Sequence, residues 1–295
     1  MNRLLRLAVL AGFAAGCLLA DVTYNQTVKY TGGTLLDLVH RMANMPMIGR
    51  MGGGGMRAAF QDQTFNVFIK GAKMARLGQS LSTIYDLEAG TITTINNEKQ
   101  TYFVQTFEQL REQTQHMQER MNRGKSGDLQ YDIKVEDTGQ TRDINGQRAA
   151  EMVMTLTAKP ESAYAGMVVK VHLWSVEPNE AMKEAVDYQK RLAQKFAYAF
   201  GNTSPMFGGA GAGIGAAMKE AMNQKGYPVL NEIELTGLSS PMANNPMMRQ
   251  GSGDPNAPAL QMQTESSNVA TGAVDDSKFS VPAGYKEEQP RGMRQ

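Results

Sequence analysis

Cysteine is nearly absent from this 295-residue chain, in which Cys17 stands alone. No internal disulfide can form, so the fold must rest on buried apolar area. Histidine occurs only as His40, His116 and His172, and no two share the His-x-x-x-His spacing with which a helix holds zinc. Neither charge sign dominates: 30 Lys and Arg face 29 Asp and Glu. A chain without a basic stripe lacks the electrostatic footprint of nucleic-acid binding. No Gly-x-Ser-x-Gly elbow occurs, and the Gly-rich stretch Gly211–Ala216 does not end in Gly-Lys-Ser/Thr. The acidic pairs Asp86/Glu88, Glu136/Asp137 and Asp275/Asp276 stand beside turns and strand ends, where carboxylates are solvated and untuned for catalysis. These absences point away from an enzyme and from a resident cofactor. Beyond the N-terminal segment, no apolar run approaches the roughly 20 residues that a membrane-spanning helix needs.

What is present begins with an export signal. Arg3 and Arg6 form a positive start, and Leu7 to Ala20 is an apolar stretch too short to span a bilayer. Residues 1–20 therefore read as a signal peptide of a periplasmic or secreted protein. Two processing routes are open. Cleavage after Ala20 releases a chain beginning at Asp21, whereas Ala14-Ala15-Gly16-Cys17 resembles a lipobox that would leave a lipidated Cys17 as the first residue.

The remainder is strand-rich. Val22, Tyr24, Val28 and Tyr30 alternate with polar residues, as a half-buried strand requires. Short strand-like segments crowd between Phe65 and Val104, separated by Gly78-Gln79, Ala89-Gly90 and Asn96-Asn97, and this pattern predicts an antiparallel meander. Leu129 to Val135 alternates cleanly, Asn145-Gly146 is a hairpin turn, and Met167 to Val176 carries the only tryptophan. Thr106 and Asn179 are placed to cap amphipathic helices. The pattern predicts an α+β domain: a curved, mostly antiparallel sheet of roughly ten strands with two or three helices over one face. It is expected to form a single domain over 21–286, with flexible inserts near 42–60, 201–215 and 239–258 and a disordered tail at 287–295.

Several of these segments are similar to one known family. They are Ile69-Lys70-Gly71-x-Lys73-Met74, Thr83-Ile84-Tyr85-Asp86-Leu87, Thr91-Ile92-Thr93-Thr94-Ile95, Lys99-x-Thr101-Tyr102 and Thr106-Phe107-Glu108. The signal peptide running into Asp21-Val22-Thr23-Tyr24, then Ile144-Asn145-Gly146, Leu173-Trp174 and Phe279-x-Val281-Pro282-Ala283-Gly284-Tyr285, belong to the same likeness. The chain thereby resembles the exported bacterial domain-of-unknown-function family numbered 4412, grouped with outer-membrane lipoprotein carrier-like folds. The resemblance implies a half-barrel whose concave apolar face is lidded by helices. The family's activity is unassigned, so it carries over no functional residues.

Two functional expectations follow. The first is a non-enzymatic protein that holds a lipid or acyl chain against the concave sheet, lined by Tyr24, Val28, Phe65, Val67, Ile69, Ile84, Tyr102, Val104, Tyr131, Ile133, Val171, Leu173 and Trp174. The second uses the soft thioethers of a methionine-rich segment: His40, Met42, Met45, Met47 and Met51 form a donor set suited to Cu(I). A cell-envelope protein partner is a third possibility for the inserts. The processing question has a direct test. An intact mass of the exported protein is expected to correspond to a chain beginning at Asp21; a mass that includes acyl groups on Cys17 would identify the lipoprotein route.

Overall fold

In the computed structural model, the described residues are 21–34, 36–37, 61–113, 131–160, 165–200, 226–237 and 257–289. The expected signal peptide, the inserts at 42–60 and 201–215 and nearly all of that at 239–258 lie outside them. The elements in chain order are β1 (Val22–Gly32), β2 (Gln63–Lys70), β3 (Lys73–Gly78), β4 (Leu81–Asp86), β5 (Thr91–Asn96) and β6 (Thr101–Thr106). A helix, α1, follows and is described over 107–113. Then come β7 (Tyr131–Ile144), β8 (Gln147–Ala158), β9 (Val168–Val176), the helix α2 (Glu180–Phe200), β10 (Tyr227–Thr236), β11 (Leu260–Thr271) and β12 (Lys286–Glu287).

The strands form one open sheet in the order β12-β6-β5-β4-β3-β2-β1-β11-β10-β9-β8-β7. Every pairing is antiparallel except the two-residue parallel contact of β12 with β6. The meander β2 to β6 forms because each connection has turn chemistry. Gly71 takes a positive φ between β2 and β3, and Asp86 Oδ1 accepts from the amides of Glu88 and Ala89 at 3.0 and 2.8 Å. Between β7 and β8, Asn145 and Gly146 have φ of 52° and 74°, the left-handed pair of a tight hairpin. Both predicted caps are in place. The Gln109 amide donates to Thr106 Oγ1 at 3.0 Å while Gln109 Oε1 accepts from the Thr106 amide at 2.9 Å, and the Met182 amide donates to Asn179 Oδ1 at 2.9 Å.

Residues paired across an antiparallel ladder share a face, so the registers sort the side chains of the whole sheet. One face carries Val22, Tyr24 and Val28 of β1, Phe65, Val67 and Ile69 of β2, Met74 of β3 and Tyr85 of β4. The helix α2 roofs this face with Ala181, Met182, Ala185 and Tyr188, all at most 4% exposed and part of the main core. Tyr188 Oη donates to the Tyr85 carbonyl at 3.5 Å, and the Arg191 guanidinium donates to the Gly71 carbonyl at 3.1 Å. A second cluster, Met154, Leu156 and Val169 with Val135, Val171, Ile233 and Leu235, lies on the same face at the far ends of β7 to β10.

The opposite face is strapped by the C-terminal segment. Phe279, Val281 and Tyr285 pack against a small core of Ala75, Ile84 and Ile95, and Tyr285 Oη donates to Asn97 Oδ1 at 3.4 Å. This segment reads as a strand in sequence, but it runs as a 3₁₀ turn (Asp276–Phe279) and extended chain, and only Lys286–Glu287 pair. Pro282 lacks the N–H that a ladder needs. Pairing reaches the Glu288 amide, which donates to the Tyr102 carbonyl at 2.7 Å, so the last contacts run into the stretch expected to be a free tail.

The sheet is also curled. Asn145 Nδ2 donates to Glu265 Oε1 at 3.0 Å, although β11 is four ladders away from β7. In a flat sheet those strands would lie about 19 Å apart, beyond the reach of an Asn and a Glu. The hairpin tip therefore bends toward the strapped face.

Replacing Phe279 or Tyr285 with Ala removes a half-buried aromatic anchor. Each is expected to lower the unfolding free energy by about 1–2 kcal/mol in urea titrations; unchanged midpoints would show that the strap carries no stability.

Candidate ligand-binding face

The registers divide the predicted lining residues between the two faces. Tyr24, Val28, Phe65, Val67, Ile69, Ile133, Val171 and Leu173 share the roofed face. Tyr131, opposite Ala158, holds a register position of the same parity. Ile84, Tyr102, Val104 and Trp174 fall on the strapped face. Within the first group burial is graded. Val67 and Ile69 are at most 1% exposed under α2, whereas Val28, Val171 and Leu173 are half-buried and Ile133 is 36% exposed.

Two features of the roofed face were not singled out in the sequence. Arg76 stands opposite Val67 in the ladder, on the parity that Met74 also uses. A cation thus occupies a position where alternation asks for an apolar side chain, which is the one signal that could have revealed it. Its guanidinium lies 3.9 Å from the centre of the Phe65 ring, and Nε donates to Gln26 Oε1 at 2.6 Å. Burial pulls its pKa below the usual value, opposed by the hydroxyl-bearing rings of Tyr85, Tyr24 and Tyr30. Burial likewise pushes the phenols of Tyr24, Tyr30 and Tyr85 up, with the Arg76 charge opposing. The second feature is a pair of enclosed polar atoms, Tyr227 Oη beside Ser266 and Asn231 Oδ1, for which no well-formed hydrogen bond exists among the described residues. Burial pushes the Tyr227 phenol up to about 12.

The strapped face of β7 to β10 carries charge instead. Glu151 is 6% exposed; its carboxylate accepts from His172 Nδ1 and from Thr138 Oγ1, both at 2.7 Å. Trp174 Nε1 donates to Glu232 Oε2 at 3.1 Å, and the Arg142 guanidinium lies 4.5 Å from the centre of the Trp174 ring and 3.6 Å from Glu232. Trp174 is therefore tied by its indole N–H into a polar network while the buried ring belongs to the main core cluster, and by register it shares the face of Tyr102 and not that of Tyr24 and Phe65.

His40, Met42, Met45, Met47 and Met51 lie outside the described residues. Among the described residues, no group of three or more His, Cys, Asp or Glu could hold a metal ion, and no helix is long and apolar enough to cross a membrane.

No family model and no curated protein matches the chain. Among solved structures it is similar to one described as "Structure of PNGF-II in C2 space group", with a TM-score of 0.30 and 8% identity. That likeness covers 91% of this chain and spans 31% of the other.

Burial pushes the Glu151 carboxyl up, but the hydrogen bonds from His172 and Thr138 and the charges of His172 and Arg142 outweigh it, and the net shift is downward. A carboxyl with a depressed pKa stabilises the fold above its unfolded value and loses that contribution as pH falls through the folded value. Glu151→Gln is accordingly expected to flatten the loss of stability on acidification from neutrality to below the ordinary carboxylate range of about 4. Urea unfolding at a series of pH values measures this, and parallel acid limbs would rule it out.

Proposed function

We propose that this chain is an exported, non-enzymatic binding protein that seats an apolar ligand, a lipid or acyl chain, on the roofed face of its sheet. The supporting observation is a band of apolar side chains beyond the rows that α2 covers. Met262, Ile233, Val171, Met154 and Val135 stand in register on that face across β11, β10, β9, β8 and β7, all half-buried except the buried Met154; Val28 on β1 lies diagonal to Met262, and Ile133 extends the band to the sheet edge. The main core under α2 is closed, whereas this band keeps part of its surface available to a ligand. A bound chain would gain about 0.8 kcal/mol for each methylene removed from water.

Export rests on the N-terminal segment; the sheet's hairpin tip bends toward the strapped face, so the seat lies on the side opposite that bend, unlike the helix-lidded concave face that the resemblance implies. The rims of the band, with Gln63 and Thr264 among its polar members, give an aqueous border.

Binding of N-phenyl-1-naphthylamine, a neutral apolar probe, tests the reading. Val171→Asp and Ile233→Lys are expected to weaken it by more than about tenfold, since each places an unpaired charge in the band. Circular dichroism would verify that each variant is folded. Undiminished binding by both folded variants would place the probe elsewhere and refute the proposed seat.

A further inference from the structure

We infer that Arg76 is the headgroup anchor of this face and that the ligand is a long-chain carboxylate, held by its head at Arg76 and by its tail along the apolar band. The inference rests on the binding reading above and narrows it to a chemical class.

Three other described arginines have acids, and the exposed Arg148 donates to Thr141 Oγ1. Arg111 pairs with Glu108, Arg142 with Glu232 and Arg191 with Glu184. Arg76 has none among the described residues: no carboxylate lies within ion-pair distance, and its single hydrogen bond, from Nε to Gln26, leaves both terminal nitrogens unused. Around it stand the Phe65 ring and the phenols of Tyr24, Tyr30 and Tyr85. A guanidinium remains charged in such surroundings, and its two terminal nitrogens present parallel donors that match the two oxygens of a carboxylate. A half-buried cation with no acid partner among the described residues, beside the Phe65 ring and leading to an apolar band, is the electrostatic complement of an amphiphile with a negative head.

The positions fit one molecule. From Arg76 on β3, the face continues through Phe65 on β2, Val28 on β1 and Met262 on β11 to Ile233 on β10. That path crosses four ladders, about 19 Å at ordinary strand spacing, and runs six residues along the strands from the level of Tyr24 to that of Tyr30, so its diagonal is about 28 Å and accommodates a long acyl tail. Stacking on Phe65 and the bond to Gln26 hold the guanidinium plane in place before ligand arrives. The head would then bind without an ordering cost at Arg76.

The test compares 11-(dansylamino)undecanoic acid with its methyl ester, in the wild-type protein and in Arg76→Gln and Arg76→Lys, alongside the neutral naphthylamine probe. The wild type is expected to bind the acid at least about tenfold more tightly than the ester, because the ester cannot form the charge-assisted pair. Arg76→Gln should bring the ratio close to one, with the loss falling on the acid. Arg76→Lys keeps the charge but loses the fork, so an intermediate ratio is expected, and it serves if the Gln variant does not fold. Equal binding of acid and ester by the wild type, with naphthylamine still bound, would overturn the anchor and leave the apolar seat standing. A ratio that survives folded Arg76→Gln would also overturn it. Failure of all three probes to bind would remove the seat and the anchor together.

Discussion

The ladder between β1 and β11 is the interaction on which the rest depends. It joins residues 22–32 to residues 260–271, and it links the β1 to β6 half of the sheet to the β7 to β11 half. Closing a loop of that length is entropically expensive and cannot be assisted by a disulfide, because Cys17 has no partner. The ladder is reinforced at its ends. The Gly272 amide donates to the Asp21 carbonyl at 3.0 Å, the Val274 amide donates to Asp21 Oδ2 at 2.9 Å, and Lys70 bridges Asp21 and Asp276. Asp21 is thus engaged in the fold from the residue at which one processing route would begin the chain.

Once that ladder forms, the two faces are continuous from strand to strand and take different characters. The roofed face carries apolar rows interrupted by polar residues, Arg76, Gln26, Gln63, Thr264 and Asn231 among them. The strapped face changes along the sheet, from the Ala75–Ile84–Ile95 core under the C-terminal segment, through Asn25, Thr27, Thr64 and Asn66, to the Glu151, His172 and Glu232 network. The hairpin tip bends toward this second face, as the Asn145–Glu265 and Arg142–Glu232 contacts require. The roof and the curl therefore act on opposite sides of one sheet. That arrangement leaves the far band of the roofed face beyond α2.

Much of the architecture was legible because it is local. Alternation in Val22–Tyr30 and in Tyr131–Val135, the described part of the second run, the Asn145-Gly146 turn, and the caps at Thr106 and Asn179 each depend on residues within a few positions of one another, and each took the predicted form. The C-terminal Phe279–Tyr285 stretch is the instructive failure. Its apolar alternation resembles a strand, yet its side chains alternate because it lies as an extended strap over a hydrophobic patch, not because it joins the ladder.

The candidate site was legible only in part, for the same reason. Period-two alternation says that Tyr24, Phe65, Ile84 and Trp174 each have a buried side, but it does not say that Ile84 and Trp174 face away from the other two; only the ladder registers decide that. Arg76 could be seen as an exception to its strand's pattern, but not as a cation without an acid, since that depends on which strands flank β3. Most strands, the turns, the caps and the absence of covalent staples could be read from residue order alone, since near neighbours and composition set them. Which side each residue faces, what roofs and straps the sheet, and that the Arg76 guanidinium lies over the Phe65 ring come from tertiary packing, because those relations exist only between segments far apart in the chain.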